Sequence, residues 1–141
     1  MPVNTAVLSH TDATRIIDFI RAELEANGRG AAAAVVDPHG ELIAFLRTDG
    51  CPLASINNAI NKAFTSARER IPSGELGARA RAEGWPLSNF ADPRYISWGG
   101  GVPVIVNGQV LGAVGVSGLP EAEDVQIATK AALLVAQQIS G

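Results

Sequence analysis

The chain has 141 residues, enough for one domain that buries roughly two-thirds of the surface its unfolded form exposes. Its 11 basic and 14 acidic residues leave a net charge of −3 without a basic block or stripe, so there is no electrostatic case for nucleic acid or an anionic membrane as partner. A single cysteine, Cys51, rules out an internal disulfide and a zinc site built from several thiolates. No stretch approaches the ~18 uninterrupted apolar residues of a membrane span. Residues 1–4 show neither the positive flank nor the apolar block of a secretion signal, so a cytoplasmic location is expected.

The first element read from the sequence is a helix over residues 11–26. Ala13, Ile16, Ile17, Ile20 and Leu24 recur at helical spacing, Ser9 or Thr11 supplies a cap, and Asn27-Gly28 a stop. "AAAAVVD" (31–37) and "ELIAFLR" (41–47), separated by Pro38-His39-Gly40, read as a hairpin whose first strand is apolar on both faces. A helix is expected from Pro52 to about Arg70, with Ile56, Ala59, Ile60, Ala63 and Ala67 on its apolar face. Pro72 ends it, because the residue before a proline is pushed out of helical geometry.

Residues 72–100 lack a clear period, except for a short helix near Glu75–Ala82, and they hold both tryptophans and the only tyrosine. A segment of that length is expected to be a binding loop or lid. After it, "VPVIV" and "QVLGAVGV" flank Asn107-Gly108, the pair that a type I′ turn favours. Pro120 then opens a helix that runs to the C-terminus. Glu121, Glu123 and Asp124 sit at its positive dipole end, and Val125, Ala128, Ala132, Leu133, Val135 and Ile139 form its apolar face. Helix, hairpin, helix, loop, hairpin, helix predicts a single α+β domain over 1–141. Its centre is an antiparallel sheet of about five strands with flanking helices, of the PAS or profilin kind.

Glycine inside a strand costs ~0.5–1 kcal/mol relative to alanine, so Gly112 and Gly115 imply a close approach by a helix, a partner subunit or a flat ligand. Gly99, Gly100 and Gly101, just before a strand, present backbone N–H groups that suit an anion or carboxylate. Trp85, Tyr95 and Trp98 either line a pocket or staple the long segment to the core. Arg47, Asp49 and Lys62 are either an internal ion pair or a set converging on a pocket: Arg47 to fork onto a carboxylate, Asp49 or Lys62 to move a proton. Cys51, His39 and the helix-start acids have ordinary structural explanations.

"VVDPHGELIAFLRTDGCPLASINNAINKAFTSA" (35–67) and "GGVPVIVNGQVLGAVGVSG" (100–118), followed by the Pro120 helix start with Asp124, resemble the GlcG/HbpS haem-binding family, which is related to the C-terminal domain of PduO-type adenosyltransferases. The likeness rests on Val35, Val36, Asp37 and Gly40, then Arg47, Asp49, Gly50, Pro52 and Ser55, then Lys62. It departs from the family in the aromatic segment "EGWPLSNFADPRYISW" (83–98).

The resemblance implies a central antiparallel sheet, assembly into homo-oligomers, and a ligand, haem in some members. Some members are encoded beside catabolic enzymes. It also implies His10 as an iron ligand. The expected site is a pocket between residues 72–101 and the sheet, formed by His10, Arg47, Asp49, Lys62, Trp98, Gly99, Gly100 and Gly101. Two other readings stand beside it. One is an isomerase, lyase or hydrolase acting on a small carboxylated metabolite through Arg47, Asp49 and Lys62. The other is a module for assembly alone.

Overall fold

A computed structural model describes all 141 residues. The elements run α1 (His10–Ala26), β1 (Ala32–Val36), β2 (Leu42–Arg47), α2 (Ala54–Glu69), α3 (Ser73–Glu83), a 3-10 turn (Leu87–Phe90), β3 (Gly101–Val106), β4 (Gln109–Ser117) and α4 (Glu121–Ser140). Four antiparallel strands lie in the order β2-β1-β4-β3. The α+β class is as expected. The strand number is four rather than about five, since the two hairpins supply the whole sheet.

Local chemistry accounts for the element ends. The Ser9 hydroxyl accepts from the Asp12 N–H at 3.0 Å and the Asp12 carboxylate accepts from the Ser9 N–H at 3.1 Å, a capping box that starts α1. Asn107 and Gly108 take φ of 52° and 75°, the positive pair that a type I′ hairpin needs. Pro103 falls on β3, an edge strand, where its missing N–H breaks no ladder.

The two faces of the sheet are packed differently. Ala33 and Val35 of β1 face α1 and α4 in the larger core, where Ile16, Ile20, Val114 and Val135 are fully buried. Ala32, Ala34, Val36 and Ala113 face α2 through Ala59, Ala63 and Ala67. The buried face of α1 is the predicted one. That of α4 is turned: Ile127 and Ala131 are buried, whereas Val125 and Leu133 remain exposed. In α2, Ser55, Lys62, Thr65 and Ser66 are buried while Ile56 and Ile60 are only half-buried.

Small residues on β1 and glycines on β3 and β4 let α2 lie close. Gly101 and Gly115 are directly opposite in the ladder. A Cβ on Gly115 would strike the Ala59 carbonyl, and one on Gly101 the Lys62 carbonyl. At Gly112 it would meet Leu8 and the Val36 carbonyl. The space left by the missing side chains is thus filled by the chain itself, chiefly by α2, rather than by a ligand.

The 72–100 segment is pinned rather than lid-like. The Thr65 hydroxyl accepts from the Ile96 N–H at 3.0 Å and donates to the Arg94 carbonyl at 3.3 Å. The Ser73 hydroxyl donates to the Trp98 carbonyl at 2.7 Å and accepts from the Gly101 N–H at 2.9 Å. Phe90 stacks on Tyr95 with centroids 4.1 Å apart, Tyr95 meets Phe64 edge-on, and Trp85 packs edge-on against Phe90. Trp85 and Tyr95 therefore staple the segment down, while Trp98 stays 57% exposed.

Candidate functional site

Because α2 touches down on Gly101, its Lys62 side chain is forced along the sheet past Gly100. It ends under the start of α4, where the ammonium donates to the Val116 carbonyl at 3.0 Å and to Asp124 Oδ2 at 3.2 Å. Both side chains are 3% exposed. The other carboxylate oxygen of Asp124 accepts from the Leu119 N–H at 3.1 Å, so α4 and the end of β4 are tied to α2 through one buried charge pair. Burial pushes the Asp124 carboxyl above the usual carboxylate range, with Lys62 pulling it back in part. A buried pair of this kind adds little net stability, but removing one partner strands the other.

A cavity of about 340 Å³ opens above this pair. Its wall is the N-terminal part of α2 (Ser55, Asn58, Lys62), the end of β4 and the following turn (Ser117, Gly118, Leu119), the first turn of α4 (Glu121, Asp124), and Trp98 and Pro52 at the rim. Ser55, Asn58 and Lys62 fall at i, i+3 and i+7, so one face of α2 presents all three.

The expected site residues are dispersed. Lys62 and Trp98 border the cavity. Gly99 donates its N–H to Glu121 Oε2 at 2.6 Å and Gly101 donates to Ser73, so two of the three triplet N–H groups already have partners within the chain. The carboxylate that meets the first of these N–H groups is the protein's own Glu121. Arg47 and Asp49 do not converge with Lys62. They line a separate concavity, with Arg21, Glu25 and Arg29, where the end of α1 meets the end of β2.

His10 is also absent from the cavity. The preceding Leu8 N–H bonds the Leu111 carbonyl, six residues or roughly 20 Å of strand from Ser117. His10 opens α1, which packs on the face of the sheet opposite α2. His39 is exposed in the β1–β2 turn. The Cys51 Sγ contacts the Pro52 carbonyl at 3.3 Å, and burial pushes its thiol up, away from nucleophilic reactivity.

Glu121 and Asp124 read in the sequence as helix-start acids, and nothing there marks Ser117 or Asn58 as a site residue. Asp124 looks like a helix-start charge, but it lies four, seven and eleven residues before Ala128, Ala131 and Val135, in phase with the buried stripe of α4. Lys62 is likewise in phase with Ala59 and Ser66 on α2. Opposite charges in phase with two buried stripes are the signal that pairs them.

The comparisons with known proteins place this α+β domain in a family. The family model described as "Haem degrading protein HbpS-like" matches residues 8–133, and the chain belongs to that family. It is 36% identical to Protein GlcG of Escherichia coli K12 over 111 residues, 79% of this chain and 81% of that one. A further curated relative is matched over 61% of its length. Among solved structures, Klebsiella pneumoniae protein ORFY superposes with a TM-score of 0.86 at 26% identity, covering 96% of this chain and 94% of that one. A PduOC:heme complex shares the fold, with a TM-score of 0.82, 23% identity, and coverage of 91% and 94%.

Haem, the group this family implies, is held by proteins through histidine, cysteine, methionine or tyrosine. None of these lines the cavity. No cluster of three histidine, cysteine or acidic side chains stands ready for a metal elsewhere. The residues around the cavity do not fit haem bound through its iron.

Proposed function

We propose that this chain is a small-molecule-binding protein whose ligand sits in the cavity between the start of α2, the start of α4 and Trp98. The observation that carries the reading is a buried Lys62–Asp124 pair opening into a cavity beneath an exposed tryptophan. Concave sites with a few convergent polar groups and one aromatic wall are the usual form of a ligand pocket, and about 340 Å³ lies at the small end of their range. Homo-oligomerisation belongs to the same proposal, supported by Ile105 on β3 and Leu133 on α4, which stay about half exposed on one face.

The enzyme reading through Arg47, Asp49 and Lys62 loses its support, since two of the three lie in another concavity. Trp98 makes the site readable. In a Trp85→Phe background the tryptophan emission comes from Trp98 alone, and a compound that binds is expected to change it and to raise the melting temperature. The thermal shift should vanish in Trp98→Ala. A stabilising compound that acts equally on wild type and Trp98→Ala would place the site elsewhere. Haemin belongs in the same panel: a sharpened, shifted Soret band would require an iron ligand that this cavity does not hold, and would count against it as the ligand site.

A further inference from the structure

The inner wall of the cavity holds polar groups with nothing in the chain to bind. Ser55 and Ser117 are 6% and 4% exposed, and neither hydroxyl has a hydrogen-bond partner in the protein. No side-chain oxygen or nitrogen sealed from solvent lacks a partner, so these two hydroxyls must reach the cavity surface. Lys62 adds a third group. An ammonium has three hydrogens, and only two are taken, by Val116 and Asp124. Lys62 and Ser117 line the same cavity.

Charge narrows what can enter. One cation, Lys62, and two carboxylates, Glu121 and Asp124, line the same small space. An anion entering it meets two carboxylates, and a cation seated against the inner wall meets the Lys62 ammonium. Glu121 uses Oε2 for Gly99, which leaves Oε1 as an acceptor in the lining of the same cavity. A donor cluster and an acceptor in one small cavity suit a molecule with one oxygen that accepts and a neighbouring hydroxyl that donates.

We propose that Ser55, Ser117 and Lys62 form a subsite for the carbonyl oxygen of a small uncharged hydroxycarbonyl compound, with its hydroxyl directed to Glu121. This rests on the cavity being the ligand site and names the class of ligand. Dihydroxyacetone is the probe, with glycolate and ethanolamine as charged counterparts of similar size, in calorimetric or ligand-observed NMR titrations. Saturable binding of dihydroxyacetone is expected, with both charged probes about 10-fold weaker or more. Ser55→Ala and Ser117→Ala should each weaken it ~3- to 10-fold, the effect of one hydrogen bond, while leaving the fold intact because no protein bond is lost. Lys62 is left in place, since its removal would strand Asp124. Binding abolished by Trp98→Ala but unchanged in both serine variants overturns the subsite and leaves the cavity as the binding site. Failure of dihydroxyacetone to bind the folded wild type, or stronger binding of glycolate or ethanolamine, also overturns it.

Discussion

Tyr95 is the only tyrosine, so its ionisation can be followed alone by ultraviolet absorbance. The ring is held against Phe90 and Phe64, and its hydroxyl donates to Glu69 Oε2 at 2.9 Å. Burial first, then the bond to the Glu69 carboxylate, pushes the phenol up to about 12. The raised value means that the native state favours the protonated form. Its stabilising contribution is complete below the ordinary tyrosine value of about 10 and is lost as pH rises through about 12. A titration midpoint near 10 would show that the staple is not formed. Tyr95→Phe keeps the stack and loses the bond, and should cost ~0.5–1.5 kcal/mol in denaturant unfolding. The sequence leaves Tyr95 and Trp98 with the same two roles, wall or staple. Only the placement of Phe64, Phe90 and Glu69 around one ring and not the other separates them.

At the level of elements, the approach of α2 to the sheet sets the site. Gly115 faces the Ala59 carbonyl and Gly101 faces the Lys62 carbonyl, so the helix backbone rests on the strand backbones. Gly115→Ala must either lift α2 or compress it. An overpacking cost of ~1–3 kcal/mol is expected, read as a lower midpoint in denaturant unfolding with unchanged slope. An unchanged midpoint would mean that the helix does not sit as close as described. The buried side of α1, both hairpins and the Asn107-Gly108 turn are legible in the sequence because each follows from spacing within one segment. The turned face of α4 is not, since Val125 and Leu133 are as apolar as Ile127. Their exposure follows from the face that α4 turns inward, which carries Asp124, Ile127 and Ala131. The 72–100 segment misleads for a related reason. Its order comes from Thr65, Ser73 and Phe64, which belong to other elements.

For the whole molecule, no helix is long and apolar enough to cross a membrane. An apolar groove runs between β3 and α4, lined by Pro72, Val102, Pro103, Ile105, Ala132 and Leu133. The proposed self-association predicts that light scattering returns at least the dimer mass, and that Leu133→Lys shifts it towards the monomer if this groove carries the contact. A monomer mass for the wild type would remove that part of the proposal. By itself the sequence determined the α+β class, the order of elements and the family, because periodicity, capping and turn chemistry act within a few residues of one another. The tertiary structure alone decided that Lys62 pairs with Asp124 rather than joining Arg47 and Asp49, that His10 stays away from the cavity, and that the strand glycines serve a helix. These outcomes depend on which surfaces can approach within a backbone's width. That is a property of the packed sheet and α2 together, which no single segment encodes.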